Sequence, residues 1–480
     1  MKEYPFWVGG KWQKSVHKEE IRNPYNGEVV GVLHIATKDH LATAIESAEK
    51  AFLESRNLPR YRRAEILSSI AAQIRQRKDE ITKLIVSEAG KPWQYAAGEV
   101  ERAISTFAIA SEETKRLSGE AIPMDWTPAG EGYFAISKCF PVGPIAAISP
   151  FNFPINLVAH KVAPCLAAGC TMILKPPPQA PLTSLLLGEI IESALSSAKA
   201  PAGMVNILPC PVDVAEAMVT DERIKMLSFT GSAKVGWYLK SRAGKKRVLL
   251  ELGGNAGAIV HDDADLDWAA QRLAVGAFAY AGQVCISVQR IYVQELIYDR
   301  FLARFLEAVK GLKVGDPMDP KTVVGPLIDK GSADRVKSWI EEAKGKGAKL
   351  LMGGGRKENI IEPTVISNVT PDMKVNCEEV FGPVVTVSSY FDFHEAIQAV
   401  NGSVYGLQAG VFTKDIKHVM DAFQNLEVGG VIANDYPTFR VDHMPYGGMK
   451  DSGLGREGVK YAMEAMTEIK LLVMRLGISL

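Results

Sequence analysis

Between residues 40 and 118 apolar side chains recur every three or four positions, as in Ile66, Leu67, Ile70 and Ile74 and then Ile81, Leu84 and Ile85. A helix needs that period to lay an apolar stripe against a flat surface, so the spacing predicts a layer of amphipathic helices. From residue 139 the pattern changes. Short apolar runs (VGPIAAIS, TMILK, MVNIL, IKMLSF, RVLLEL) alternate with helical stretches at 154–168, 182–195, 212–219 and 232–241. The alternation predicts a mostly parallel sheet with helices on both faces and a ligand crevice at the carboxyl ends of its strands, where Lys175, Thr230 and Glu251 stand. A second alternating block spans 255–445, with strands near AGAIV, RIYVQ, AKLLMG, PVVTVSSYF and QAGVFT and helices such as 297–310 and 332–346. The Gly- and Pro-rich segment 119–138 and the run LLVMRLG near the end read as projecting edge strands.

Composition narrows the class. A chain of 480 residues exceeds one ordinary core, and 47% hydrophobic with 23% charged residues is the usage of a folded protein. Lys plus Arg and Asp plus Glu both number 55, which removes the overall field that would draw nucleic acid or an anionic membrane. The expected partner is therefore a small molecule. The start, MKEYPFWVGGKW, lacks the basic region, apolar run and small-residue site of a secretory signal, so a cytoplasmic location is expected. His160, Lys161 and Pro164 interrupt the apolar stretch 157–174, and no membrane span is predicted. Six cysteines at 139, 165, 170, 210, 285 and 377 show no paired spacing and no nearby histidines, so no metal site is expected.

Three polar residues stand where chemistry is feasible. Gly282-Gln283-Val284-Cys285 follows an apolar helix and precedes a strand, placing a thiol at a turn where backbone amides can face it. Alone, such a cysteine is more often inert packing. Glu251 ends the strand RVLLEL just before Gly253 and Gly254, where burial would raise its pKa and suit it to activate water; the plainer reading is an acid that caps the next element. Asn152, in SPFNFP, ends a strand and opens a helix, so its amide is either an oxyanion donor or a helix cap. Residues 228–236 (SFTGSAKVG) form a strand, glycine turn and helix that bring backbone near a dinucleotide without the GxGxxG spacing.

Taken in order, PFNFP at 150–154, LKP at 174–176, FTGS at 229–232, ELGGN at 251–255, GQVC at 282–285, EEVFGP at 378–383 and PYGGMKDSGLGREG at 445–458 resemble the aldehyde dehydrogenase superfamily through nearly the whole chain. The resemblance implies an α/β fold with a Rossmann-like dinucleotide-binding domain (1–118 and 139–252), an α/β catalytic domain (253–445) and a small β oligomerisation element (119–138 and 460–480) that joins dimers or tetramers. It implies Cys285 as nucleophile, Asn152 with the Cys285 amide as oxyanion hole, and Glu251 as base for thioester hydrolysis. It further implies NAD or NADP held by Ile148, Ser149, Phe151, Lys175, Pro177, Phe229, Thr230, Gly231, Ser232 and Leu252, with Glu379 and Phe381 positioning the nicotinamide ribose and ring.

Two places refine that expectation. Many NAD-preferring relatives carry a Glu three residues after the lysine, where it repels a 2′-phosphate; this chain has Pro178, which leaves both cofactors open. In relatives the helix after the oxyanion asparagine and the loop before PYGG line the aldehyde tunnel. Here they hold His160 and Arg440, which favour a polar or anionic aldehyde such as a hydroxyaldehyde, a semialdehyde, or a phosphorylated or phosphonylated one. Arg440 has a competing structural role, pairing with Asp435 or Asp442. Two other activities compete: a CoA-acylating dehydrogenase, against which Glu251 argues, and a cofactor-independent cysteine hydrolase or binding protein, which would need a histidine aligned with the thiol.

Overall fold

Five short strands, Pro144–Ile148, Thr171–Lys175, Val205–Ile207, Met226–Thr230 and Arg247–Glu251, run parallel in the computed structural model, which describes residues 2–476. Buried on both faces, they are near-continuous runs of Ile, Leu, Met, Val and Ala, as a covered parallel sheet requires. Their spatial order is Arg247–Glu251, Met226–Thr230, Pro144–Ile148, Thr171–Lys175, Val205–Ile207. The first strand lies in the middle, so the winding reverses between Pro144–Ile148 and Met226–Thr230. A doubly wound sheet binds its ligand above such a reversal, at the carboxyl ends of its strands. Short antiparallel strands close both margins, Gly453–Leu454 on one side and Phe6–Val8 with Lys11–Gln13 on the other.

Helix Asn156–Ala168 is buried along its whole length between this sheet and helix Trp93–Arg116, which explains its lack of a polar face. Gly169, at φ 88°, ends it in the left-handed conformation that glycine adopts most readily. Helix Arg60–Gln76 buries Ile66, Leu67, Ile70 and Ile74, the stripe its spacing predicts. The second sheet has seven strands in the order Lys349–Met352, Thr364–Ser367, Val384–Tyr390, Val288–Gln294, Ala256–Val260, Gln408–Phe412 and Gly430–Ala433. All its neighbours are parallel except the first pair.

A third sheet projects. Thr467–Arg475 pairs antiparallel with Tyr133–Pro141, and Ala121–Ile122 adds a short third strand. The projection starts at Thr467 rather than at 460, because Val459, Met463 and Met466 belong to the core around the first sheet. Positions 477–480 of the expected 460–480 segment lie outside the described residues. Among the described residues no helix is long and apolar enough to cross a membrane, and no cluster of His, Cys, Asp and Glu could hold a metal ion.

Candidate active site

Helix Leu266–Phe278 stops at a turn in which Tyr280, Ala281 and Gly282 all take positive φ, at 52°, 54° and 68°. Left-handed backbone at Tyr280 and Ala281 is strained by about 1 kcal/mol or more per residue, so the surroundings must enforce it. Tyr280 is buried and its hydroxyl donates to the Ala89 carbonyl at 3.2 Å, which holds the turn. The chain leaves the helix axis here and presents Cys285 before strand Val288–Gln294. The two glycines after Glu251 are required by the same packing. A Cβ on Gly254 would lie 2.2 Å from the Cys285 carbonyl oxygen, and one on Gly253 would lie 2.4 Å from Glu379 Oε2.

Cys285 Sγ lies 2.9 Å from the Tyr446 hydroxyl. Burial pushes the thiol up to about 11; the Tyr446 hydrogen bond and the Arg440 charge pull it back, while Glu379 and Glu251 oppose them. A cavity of about 310 Å³ opens on the sulfur, walled by Phe153, Leu157, Tyr436 and Phe439 together with Arg102 and Arg440. Asn152 is buried, and its Nδ2 donates to the Gln283 carbonyl at 2.9 Å. A primary amide has two N–H groups, so one remains for an oxyanion.

The loop carrying Asn152 is held from below by a pair with no signal in the sequence pattern. Lys91 and Glu99 are both buried and meet at 2.7 Å; Lys91 also donates to the Asn152 carbonyl at 2.9 Å. Glu99 accepts from the amides of Ile155 and Asn156 at 2.9 and 3.1 Å, satisfying the free donors at the start of helix Asn156–Ala168. Burial lowers the Lys91 ammonium to about 8 against the attraction of Glu99. Lys91→Met would strand the Glu99 charge, with an expected loss of about 3 kcal/mol or more, read as a fall in the calorimetric midpoint and in denaturant resistance.

Glu251 ends its strand buried, with neither carboxylate oxygen hydrogen-bonded. Burial and the neighbouring Glu457 drive its pKa well above the ordinary range, against the opposing charges of Arg440 and Lys161. Glu457 goes the other way. Although it too is buried, Lys161 at 3.3 Å, His160 nearby and Arg440 at 3.3 Å hold its carboxyl below the usual value. Arg440 thus pairs with Glu457 and with neither expected aspartate. Asp435 is taken by Arg272 at 2.7 Å, and Asp442 by Arg102 and His160. His160 does not line the cavity: it is buried, its Nε2 donates to Asp442 at 2.8 Å, and burial followed by the Arg440 charge lowers its pKa. It supports the wall from behind, whereas Arg440 lines it.

The geometry therefore sets the Cys285 thiol on the cavity, ties the Asn152 amide to the turn that carries it, and keeps the unpartnered Glu251 carboxyl within electrostatic reach of the sulfur. The sequence profile described as the aldehyde dehydrogenase family matches residues 12–472. The chain belongs to that family. A 3-sulfolactaldehyde dehydrogenase of Priestia aryabhattai is 44% identical over 477 residues, 99% of each chain. Aldehyde dehydrogenase 21 from Physcomitrella patens, solved with the reaction product succinate, matches at TM-score 0.97 and 45% identity, covering 100% of this chain and 99% of that one. The glyceraldehyde-3-phosphate dehydrogenase of Methanocaldococcus jannaschii, solved with NADP, matches at TM-score 0.92 and 41% identity, over 96% and 100%. The α/β fold expected from the sequence is the aldehyde dehydrogenase fold.

In this aldehyde dehydrogenase Ile148, Lys175 and Thr230, three of the residues expected at a dinucleotide, stand at the carboxyl ends of neighbouring parallel strands. Ile148 ends the central strand; the Ser149 amide donates to the Lys175 carbonyl at 3.2 Å, and the Ser149 hydroxyl is buried without a partner. Lys175 Nζ, partly buried, has only the adjacent Pro176 carbonyl, at 3.4 Å, among the described residues. Phe229 and Thr230 end the neighbouring strand, the Gly231 amide donates to the Glu251 carbonyl at 3.0 Å, and Ser232 starts helix Ala233–Arg242, which packs on Leu252 at Gly236. Across the crevice Glu379 accepts from the Gly254 amide at 2.9 Å and is pushed up to about 7 by burial, while Phe381, at φ 45°, meets Phe151 edge-to-face at 5.9 Å. The buried Ser149 hydroxyl, without a partner among the described residues, and the Lys175 ammonium fit the hydroxyl and phosphate groups of a dinucleotide. Pro177 is buried and Pro178 exposed, with no carboxylate at either place.

Tyr446 and Glu457 carry a signal in the sequence, since both lie inside the run PYGGMKDSGLGREG. Lys161 carries none beyond interrupting an apolar helix.

Proposed function

We propose that this chain oxidises a small polar or anionic aldehyde to its carboxylic acid with NAD or NADP, through a thioester on Cys285 that water hydrolyses with Glu251 as base. The observation that carries the reading is that Cys285 lines the cavity, Asn152 Nδ2 reaches the Gln283 carbonyl two residues before it, and Glu251, its oxygens unpartnered among the described residues, lies close enough to act on the charge of the thiol. The Cys285 thiolate adds to the carbonyl carbon, and the charge that develops on oxygen meets the free N–H of Asn152 and the Cys285 amide. A nicotinamide bound in the crevice supplies the hydride acceptor. Glu251 then removes a proton from water as its oxygen attacks the thioester, and the C–S bond breaks to return the thiolate. The sulfur's hydrogen-bond partner is a phenol and not an imidazole, which disfavours the cysteine hydrolase. Acid released without added CoA distinguishes hydrolysis from acyl transfer.

The polar substrate follows from Arg440, which lines the cavity with its Nε unpartnered, next to Arg102 on the same wall. The compounds named for the similar proteins, sulfolactaldehyde, succinate and glyceraldehyde 3-phosphate, share a short skeleton with an anionic end or its equivalent. Arg440→Ala is expected to lower kcat/KM for a short carboxylated or phosphorylated aldehyde by about 10- to 100-fold more than for propanal. Equal losses on both substrates would remove the guanidinium from substrate recognition. In the same reading residues 1–118 and 139–252 hold the dinucleotide and 253–445 carry the nucleophile. Exposed Ile469, Leu471, Leu472 and Val473 on the projecting sheet are the surface through which copies of the chain associate as dimers or tetramers.

A further inference from the structure

Among the described residues no lysine or histidine hydrogen-bonds Cys285 Sγ, although a buried thiolate needs a donor or a positive charge close by. Among the described residues the sulfur has one hydrogen-bond partner, the Tyr446 hydroxyl, which must be the donor once the sulfur is a thiolate; the position of Tyr446 is fixed twice. Its amide donates to the Glu457 carbonyl at 3.0 Å, and the Glu457 amide donates back at 2.6 Å. Its ring is covered by the Arg440 guanidinium, 3.6 Å from the ring centre. A cation over a phenol ring favours negative charge on the phenol oxygen, so it makes the hydroxyl a stronger donor. The hydroxyl has no other partner among the described residues.

We propose that Tyr446 is a catalytic residue of this dehydrogenase: its hydroxyl donates to the Cys285 thiolate and relays the charge of Arg440 to the sulfur. The inference rests on Cys285 being the nucleophile. The charged and titratable groups facing the sulfur are Tyr446 and Arg440, which favour the thiolate, and Glu379 and Glu251, which disfavour it. A hydrogen bond that stabilises the thiolate also lowers its intrinsic nucleophilicity, but by less than half as much on a logarithmic scale. At a pH well below the thiol's pKa the larger thiolate population therefore wins. When sulfur bonds to the carbonyl carbon its charge is gone and the phenol hydrogen bond weakens, so the effect belongs to the attacking state.

The test is the rate of iodoacetamide alkylation of Cys285 against pH, with the modified peptide identified by mass spectrometry, in the full-length protein and in Tyr446→Phe. The variant removes one oxygen and keeps the ring under Arg440. The midpoint of the profile is expected to rise by about one pH unit, and alkylation at pH 7 to slow by about threefold or more. A wider cavity alone would change the rate equally at every pH and leave the midpoint in place, and that result overturns the proposal. A thermal scan of both proteins guards against misfolding. Failure of the underlying reading is separate: a Cys285→Ala protein that still oxidised aldehydes would deny the nucleophile, whatever Tyr446→Phe does to the thiol's ionisation.

Discussion

Cys285→Ala is expected to lower aldehyde oxidation by at least about 10⁴-fold, because the groups of a covalent mechanism act as a unit and the remaining donors have no adduct to stabilise. The measurement is growth of the reduced-nicotinamide absorbance under saturating aldehyde and cofactor. Dinucleotide binding, read by fluorescence titration, is expected to survive, since the crevice groups Ser149, Lys175 and Glu379 do not depend on the sulfur for their positions. The fold should survive as well, for Cys285 is only partly buried and its side chain makes a single hydrogen bond. More than a few per cent of the original rate in a correctly folded variant would exclude thioester chemistry on this residue.

The sheets were legible because their strands are short apolar runs set at the spacing of strand and helix alternation. Both glycines of ELGGN were legible for a physical reason that the structure supplies: one neighbour is the backbone of the nucleophile turn and the other the Glu379 carboxylate. Local pattern could not reveal which distant charges meet. Arg440 has Asp435 and Asp442 within two or five positions in the chain, yet it pairs with Glu457, because Arg272 and Arg102 approach those aspartates from other helices. Asn156 and Leu157 line the cavity and His160 of the same helix does not, a difference that hydrophobicity cannot show because the helix is buried all round. Lys91 and Glu99, which fix the Asn152 loop, resemble ordinary charged helix positions until burial is known.

The buried charges beside the cavity divide two carboxyls into two roles. Glu457 collects both nearby cations, Lys161 and Arg440, and stays ionised. Glu251 has neither in contact, and burial together with the Glu457 charge raises its pKa. Pairs of acids whose surroundings push their pKa values apart are how a site assigns one to structure and the other to proton transfer. Both Glu251 oxygens are unpartnered among the described residues. Once ionised, Glu251 accepts a proton from water without first breaking an ion pair.

Glu251→Gln is accordingly expected to separate the two halves of the reaction. Cys285 still adds to the aldehyde, so rapid mixing should show a burst of reduced cofactor close to one equivalent per active site. Turnover after the burst should fall by about 10²- to 10⁴-fold, the usual contribution of a general base. The pH dependence has a definite sign. Glu251 must be ionised to take a proton from water, and its pKa in the fold lies above that of an ordinary carboxyl. Thioester hydrolysis should therefore slow as pH falls through that raised value and quicken as pH climbs above it, whereas the glutamine variant should lose this ionisation from its profile. The intact protein, quenched in acid after one turnover, should carry the acyl group on the Cys285 peptide in the variant and much less of it in the native protein. A variant with no burst, or with the native pH profile in its slow phase, would mean that Glu251 is not the base for hydrolysis.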